Sequence, residues 1–191
     1  MTAKPETDEE MAAIRISGAV TPYNAPIFLA PYDPAWPEQY AGEARKIRCA
    51  LGDRAIVLEH VGSTSIPGMS AKPLIDILLV VADPSNEASY VPALTAQGYR
   101  LHLREVDWEQ HRVLKGDAPL VNLHVFPPGS REIARMIGFR DRCRACPEEF
   151  DLYLDTKLEL AARTWRHVQH YANAKSEVVE AIIARALAGA H

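Results

Sequence analysis

The spacing of hydrophobic positions divides the chain into an α/β half followed by a helical half. Short β-branched or alternating runs predict strands, and a pair of such runs around the turn cluster GDAP predicts a hairpin. The strands are expected over residues 55 to 61, 73 to 81 and 99 to 105, and in the hairpin runs HRVLKG and LVNLHVF. This arrangement predicts an α/β fold in which a mixed sheet is flanked by helices.

Apolar residues at steps of three and four predict the helices. In the α/β half they cover residues 37 to 51, which begin with a proline and are followed by a glycine, and residues 84 to 98, which Pro92 interrupts. Three more helices form the C-terminal half, over residues 130 to 145, 147 to 162 and 165 to 188.

The N-terminal segment differs from the rest of the chain. Residues 1 to 22 are polar and acidic and show no sustained period, so we expect a disordered or loosely attached arm. Residues 23 to 191 are expected to form one domain, with its α/β half at about residues 28 to 128 and its helical half at about residues 130 to 188.

Composition excludes several classes of function. The net charge of -4 argues against bulk nucleic-acid binding, which depends on Lys and Arg neutralising phosphates. No apolar run approaches the roughly 20 residues that span a bilayer, and the N-terminus lacks the layout of a signal peptide. Three cysteines do not form a disulfide framework, so a cytoplasmic protein without membrane contact is expected. The sequence gives no indication of the oligomeric state.

The stretch HVGSTSIPGMSAKPLIDILLV contains the main candidate site. Gly62 lets the backbone approach an anion, while the hydroxyls of Ser63, Thr64 and Ser65 and the charge of Lys72 are suited to a phosphate. The spacing is not that of a P-loop. A plain Gly/Ser turn is the alternative interpretation of the same residues.

Asp76 stands in the middle of the apolar run that follows this loop. Burying a carboxylate costs several kcal/mol unless it is paired or bound to a metal. Asp76 is therefore either a Mg²⁺ ligand that faces the phosphates of a nucleotide, or a member of a buried network in which Lys72 is the nearest available partner.

Three further side chains are candidates on chemical grounds. His124 shares a strand face with Asn122 and is either a core residue or a general base, metal ligand or phosphate contact. Arg112, with Lys115, either adds positive charge across the sheet or lies on a solvated face. Arg140 either contacts phosphates or forms a structural ion pair with its neighbour in the sequence.

The sequence resembles the GrpB family, bacterial proteins placed in the DNA polymerase beta-like nucleotidyltransferase superfamily. The resemblance covers about residues 28 to 185 and rests above all on GSTSIPG followed by KPLIDI. Other matching runs are APYDPAWPEQY, LHVF, GFRDRCRACPEEFDLYLDTKLELA and YANAKSEVVEAII. It implies a nucleotidyltransferase-like fold with a C-terminal helical half.

The superfamily pattern is a Gly-Ser after a strand, an Asp-x-Asp on the next strand and a third carboxylate on a later one, with the carboxylates holding two Mg²⁺ ions. Gly62, Ser63 and Asp76 match this pattern. Leu78 stands where the second carboxylate would be, and His124 where the third is expected. The resemblance therefore implies a retained phosphate site and an incomplete two-metal centre.

In the helical half, the same resemblance points to tyrosines and lysines that close over the phosphates. Lys157 lies four residues after Tyr153, and Lys175 lies four residues after Tyr171, so each pair shares a helix face. Solvated helix faces are the alternative interpretation.

Two functions remain open from the sequence. One is a divergent nucleotidyltransferase that uses Asp76 and His124 with a single Mg²⁺ ion. The other is a non-catalytic nucleotide-binding or protein-interaction module. Family members also occur fused to dephospho-coenzyme A kinase, which suggests a link to coenzyme A metabolism.

Overall fold

The computed structural model describes residues 7–16 and 20–189, and its centre is a five-stranded mixed sheet. The strands are β1 (Val57–Val61), β2 (Ile75–Val80), β3 (Arg100–Glu105), β4 (His111–Asp117) and β5 (Leu120–Phe126). Their order across the sheet is β1-β2-β5-β4-β3. Strands β2 and β5 run parallel, and the other neighbouring pairs run antiparallel.

Seven α-helices accompany the sheet in the described residues. They are α1 (Asp8–Ile14), α2 (Trp36–Leu51), α3 (Val91–Thr95), α4 (Arg131–Ala145), α5 (Pro147–Ala161), α6 (Val168–Ala174) and α7 (Ser176–Ala188). The predicted architecture, a mixed sheet flanked by helices and followed by a helical half, is confirmed. No helix of the described chain is both long enough and apolar enough to cross a membrane.

Both faces of the sheet are covered, which explains the nearly continuous apolar sequence of β2. On one face Ile75, Ile77 and Leu79 pack with Ile47 and Leu51 of α2. On the other face Val61, Leu78 and Phe126 form a smaller cluster with the partly buried Ile133, Met136 and Ile137 of α4. We call these faces the α2 side and the α4 side.

The loop between β1 and β2 is anchored in the helical half. Ile66 and Met69 are fully buried against Phe139 of α4, Tyr153 of α5 and Ile182 of α7. Because this loop joins two strands of the sheet, its apolar anchors hold the α/β half and the helical half together.

An extended segment before α2 also connects the two halves. Ala30 forms an antiparallel bridge with Ala71 next to β2, and Ala25 forms one with Trp165 before α6. Between them the N–H of Ile27 donates to the carbonyl of Ala161 at 2.9 Å. The segment therefore follows the junction between sheet and helices.

The sequence predicts a disordered or loosely attached arm over residues 1 to 22, but the structure has a helix and a contact with the sheet within residues 7–16. A capping box starts α1: the N–H of Glu10 donates to Thr7 Oγ1 at 3.1 Å, and the N–H of Thr7 donates to Glu10 Oε2 at 3.0 Å. Met11 is buried, and Arg15 bridges to Leu103 of β3. Residues 1–6 and 17–19 lie outside the described residues.

Two predicted helices are shorter or divided. The segment of residues 84 to 98 forms a 3₁₀ turn (Glu87–Ser89) and then the single short helix α3, in whose first turn Pro92 lies. A proline has no N–H to donate, so it is tolerated at a helix start rather than within a longer helix. The helix predicted over residues 165 to 188 is divided into α6 and α7, and Lys175 lies at the break.

Candidate functional site

A cleft of about 170 Å³ opens where β1 ends and where β2 and β5 begin. The β1–β2 loop, residues 62 to 72, forms one wall, and Asp76 of β2 and Asn122 of β5 form the floor. The opposite wall comes from the helical half and consists of Tyr153, Lys157, Tyr171 and Lys175. The cleft thus lies at the junction that the loop anchors hold together.

The loop begins with a 3₁₀ turn (Ser63–Ser65) whose hydroxyls serve different purposes. Thr64 Oγ1 donates to the carbonyl of Leu74 at 3.2 Å, and Ser65 Oγ donates to the carbonyl of Gly62 at 2.6 Å. Ser63 Oγ lies 3.3 Å from the hydroxyl of Tyr153 across the cleft. The side chains of Thr64 and Ser65, predicted as phosphate donors, are therefore occupied in shaping the loop, while Ser63 faces the cleft.

Gly62 cannot carry a side chain, for two independent reasons. Its φ of 69° and ψ of -173° lie in a region that is essentially restricted to glycine. A Cβ atom at this position would lie 2.5 Å from Asp76 Oδ2 and 2.9 Å from Asp76 Cβ. The loop backbone therefore lies directly against the carboxylate of Asp76.

Asp76 is held by two residues of the parallel neighbour β5. Asn122 Nδ2 donates to Asp76 Oδ1 at 3.0 Å, and His124 Nε2 lies 3.5 Å from the same oxygen. Burial raises the pKa of Asp76. This effect is outweighed by the hydrogen bond and charge of His124, by the hydrogen bond from Asn122 and by the charge of Lys72. The pKa of Asp76 therefore lies below its usual value. Asp76 is therefore an ionised carboxylate. Lys72, which the sequence offered as a direct partner, forms no ion pair with it and acts through its charge.

Three lysines converge on the cleft. Lys157 is 2% exposed and donates to the carbonyl of Ser70, and burial, with the nearby charges of Lys175 and Lys72, lowers its pKa to about 7. Burial lowers the pKa of Lys175 to about 8, and its Nζ lies 4.4 Å from the ring centroid of Tyr171. Burial and the charge of Lys175 also lower the pKa of Lys72. Among the residues that line the cleft, Asp76 is the one carboxylate beside three lysines, so positively charged groups outnumber negative ones there.

A tyrosine in the same wall has an unsatisfied hydroxyl. The side chain of Tyr171 is 1% exposed, and its hydroxyl has no hydrogen-bond partner in the described part of the chain. A buried polar group without a partner costs about 1–3 kcal/mol. Burial raises the pKa of Tyr171, so the hydroxyl stays neutral and is available as a donor.

Two side chains that the sequence offered as phosphate contacts, Arg112 and Arg140, lie away from the cleft. Val113 pairs with His124 in the sheet, so strand alternation turns Arg112 to the α2 side, where its Nε donates to Glu87 at 2.8 Å. Arg140 of α4 donates to Glu59 at 2.8 Å and to the carbonyl of His60 at 2.9 Å. Both guanidinium groups thus serve structural ion pairs away from the cleft. Lys115 pairs with Asn122 and shares the face of the site.

The two-magnesium centre of the superfamily pattern does not fit these residues. Leu78 shares the face of Asp76 but is completely buried in the apolar cluster with Val61 and Phe126. The described residues contain no group of three or more His, Cys, Asp or Glu side chains that could hold a metal ion. Of the side chains predicted for that centre, Asp76 with its carboxylate oxygens and His124 with its ring nitrogen are the two that could contact a metal ion.

Sequence reasoning missed the residues behind His124. His124 Nδ1 lies 3.1 Å from His111 Nε2, and His111 Nδ1 lies 2.6 Å from Glu105 Oε2. His111 is buried and stacks on Phe126, with ring centroids 4.4 Å apart. The hairpin contained a usable signal, since pairing the two strands around GDAP places His111 and His124 on the same face.

Comparisons with known proteins agree on one family. The family model described as GrpB protein matches residues 26–185. UPF0157 protein BH1888 of Halalkalibacterium halodurans is 52% identical over 182 residues, which are 95% of this chain and 93% of that protein. The crystal structure of the conserved protein GrpB from Enterococcus faecalis is similar with a TM-score of 0.71 and 27% identity, over 84% of this chain and 98% of that chain.

One further similarity covers only part of this chain and is to a protein of another name. A dephospho-CoA kinase of Mycolicibacterium paratuberculosis is 40% identical over 78 residues, which are 39% of this chain and 19% of the kinase. The similarity therefore covers a minor part of both proteins.

Replacing Gly62 tests the contact between the loop and Asp76. Gly62→Ala should lower the free energy of unfolding by more than the roughly 1–3 kcal/mol of backbone strain alone, because the new Cβ also displaces the carboxylate. Gly52→Ala is the control, since Gly52 has a φ of 56° but nothing lies within 4 Å of its Cβ position. Urea unfolding of both variants gives the comparison, and equal losses would contradict the proposed steric contact.

The lowered pKa of Lys157 predicts a pH dependence of stability. Between its folded pKa of about 7 and the unfolded value of 10.5, the unfolded chain binds more protons at this residue. The free energy of unfolding should therefore rise with pH across this window, relative to the variant Lys157→Met, which lacks the group. Urea unfolding at pH 6.5 and 9.5 measures the difference. The exposed Lys46→Met is the control, and parallel profiles for wild type and Lys157→Met would rule the effect out.

Proposed function

The chain belongs to the GrpB family, and from the geometry of its cleft we propose that it binds a nucleotide or another phosphorylated metabolite. The phosphates would lie between the 62–72 loop and the lysines of the helical half. The observation that carries this proposal is the convergence of Lys72, Lys157 and Lys175 on one small cleft whose only facing carboxylate, among the described residues, is Asp76.

Like charges held together in a partly buried cleft repel one another strongly, since the local dielectric constant is lower than that of water. Burial lowers the pKa of all three lysines, and for Lys72 and Lys157 the charge of a neighbouring lysine lowers it further, which is a direct repulsion. A phosphate chain with two to four negative charges would remove it and would favour the charged form of each lysine. An acidic ligand is therefore the occupant whose charge the cleft best complements.

The uncharged groups of the cleft support the same ligand. Ser63 presents its hydroxyl to the cleft next to Gly62, whose backbone lies against Asp76. Tyr171 supplies a neutral donor without a partner on the opposite wall. An occupant with several acceptor oxygens would satisfy donors on both walls, as a phosphate chain does.

Two versions of this function differ in chemistry. In the catalytic version, a divergent nucleotidyltransferase, the ionised Asp76 would hold one divalent cation, with Mg²⁺ as the sequence-based candidate, and His124 would lie next to the reacting groups. In the non-catalytic version, a nucleotide-binding or protein-interaction module, the apolar burial of Leu78 reflects a site that no longer needs two metal ions. The partial match to a dephospho-CoA kinase makes coenzyme A precursors candidate ligands for either version.

Ligand binding is testable by thermal stabilisation with nucleoside triphosphates, dephospho-coenzyme A and pyrophosphate. A ligand at a hundred times its dissociation constant stabilises the folded state by about 2.7 kcal/mol. Lys72→Ala and Lys175→Ala should each weaken binding by roughly 10- to 100-fold, since each removes a charge-assisted contact of about 1.5–3 kcal/mol. Lys46→Ala is the control, because Lys46 lies on α2 and does not line the cleft. If no compound stabilises the wild type, the proposal fails.

The catalytic version predicts pyrophosphate release from a nucleoside triphosphate when Mg²⁺ or Mn²⁺ and a hydroxyl or phosphate acceptor are present. Asp76→Asn should then lower the rate by orders of magnitude while nucleotide binding is largely kept, because the metal acts mainly in the transition state. Binding without pyrophosphate release, with all four ribonucleoside triphosphates, would leave the non-catalytic version.

A further inference from the structure

A row of four side chains crosses the sheet at the level of the cleft. Asp76 of β2 pairs with Asn122 of β5, and both lie at the floor of the cleft. Lys115 of β4 is the next partner of Asn122, and Arg100 of the edge strand β3 pairs with Lys115. Directly paired residues point to the same face of a sheet, so the row continues from the cleft along the α4 side. Since neighbouring strands are about 4.8 Å apart, the Cα atom of Lys115 lies about 10 Å from that of Asp76.

Arg15 reaches the same part of the sheet from the segment that follows α1. It forms an antiparallel bridge with Leu103 of β3, and Leu103 pairs with Val113 of β4. Val113 and Lys115 are two positions apart on one strand and therefore share a face. Three basic side chains thus come together on the α4 side of β3 and β4, and we call Arg15, Arg100 and Lys115 the basic group.

The electrostatics of the basic group agree with this placement. Burial lowers the pKa of Lys115, and three positive charges lower it further, those of Arg15, Arg100 and Lys72. Burial and the charges of the basic group also lower the pKa of His102 in β3 to about 4. Because Lys72 lines the cleft, the positive charge continues from the cleft towards the edge of the sheet.

Little negative charge offsets the basic group. Asp117, two residues after Lys115, is the acidic side chain that raises the pKa of Lys115, and it already forms an ion pair with Arg100. Lys115 is half-buried and has no ion pair of its own within residues 7–16 and 20–189. An anion next to Lys115 would therefore meet a cation that no carboxylate neutralises directly.

The size of the cleft explains why a ligand would reach this group. The cleft has a volume of about 170 Å³, whereas sites that enclose a drug-sized ligand have roughly 300–1,000 Å³. A phosphate chain fits into this space, but a whole nucleotide does not, so the rest of the ligand must lie outside. Asn122 at the floor of the cleft is the direct neighbour of Lys115, and the row gives the ligand a direction in which its charge is matched.

We propose that Lys115, with Arg15 and Arg100, binds a second phosphate group of the same ligand whose phosphate chain occupies the cleft. The inference rests on the proposed phosphate binding and narrows the ligand to a nucleotide-like molecule with phosphates at two separate positions. A phosphate ester on the sugar, away from the chain, is a group of this kind. Lysine and arginine side chains both form charge-assisted hydrogen bonds with phosphate oxygens, and arginine can form two in parallel.

Two matched pairs of compounds isolate the second phosphate. AMP and adenosine 3′,5′-bisphosphate differ by the 3′-phosphate, and so do dephospho-coenzyme A and coenzyme A, which also carry a pyrophosphate. Titration calorimetry at 0.15 M salt gives the affinities, since charges more than about 8 Å apart at the surface are then largely screened. The wild type should bind the 3′-phosphorylated member of at least one pair roughly 10- to 100-fold more tightly, which is the gain from a charge-assisted contact.

The variant Lys115→Met should remove most of this gain, because methionine keeps the unbranched stem without the charge. The readout is the ratio of the two affinities within a pair, which a general loss of stability would not change. Pyrophosphate, which has no second group, should bind Lys115→Met and the wild type alike. Lys46→Met is the control, since Lys46 lies on α2 at the other face of the sheet and should leave the ratio unchanged.

The outcomes separate this inference from the proposed function. If pyrophosphate binds but neither pair gains from the 3′-phosphate, the second phosphate site is overturned while phosphate binding in the cleft stands. A gain that Lys115→Met leaves unchanged also overturns the inference, because the 3′-phosphate is then held elsewhere. If none of these compounds binds, the second site is overturned together with the proposed function. A gain that Lys115→Met removes and Lys46→Met keeps supports the inference.

Discussion

Asp76 carries a negative charge in a strand whose other five residues are buried and apolar, and such a charge is costly unless its surroundings stabilise it. The stabilisation comes from Asn122 and His124 on the neighbouring strand, from the charge of Lys72 in the loop, and from the charges of Lys157 and Lys175 across the cleft. Because these groups belong to the sheet, the loop and the helical half, the carboxylate sets the position at which the three parts meet.

The cleft combines a rigid frame with polar groups whose interactions are incomplete. Ile66 and Met69 fix the loop in the helical core, and the hydroxyls of Thr64 and Ser65 fix its shape, so the frame does not need a ligand to form. The hydroxyl of Tyr171, by contrast, lacks the partner that a buried polar group normally has, and burial lowers the pKa values of the three lysines around the cleft. This difference is expected of a preformed binding site, in which the groups that contact the ligand are held in place before it arrives.

Much of this organisation was predictable from sequence, and the remainder depended on contacts that spacing does not reveal. Strand and helix periods located the sheet and the helical half, and the cost of burying Asp76 pointed to the site. Arg112 remained a candidate phosphate contact because its strand face follows from the β4–β5 register, which places it on the α2 side. The capping box at Thr7 was overlooked because Glu10 lies in an acidic stretch that composition alone assigns to disorder.

Leu78 and His124 stand at the two positions where the sequence resemblance leads one to expect further carboxylates, and the structure gives them different surroundings. Leu78 is completely buried in the apolar cluster of the α4 side, so this position offers no polar group to the cleft. His124, in contrast, is supported by the buried His111 and, behind it, by the partly buried Glu105, so its ring belongs to a polar network. One position therefore belongs to the apolar packing and the other to a polar network, and this organised arrangement favours a specialised site.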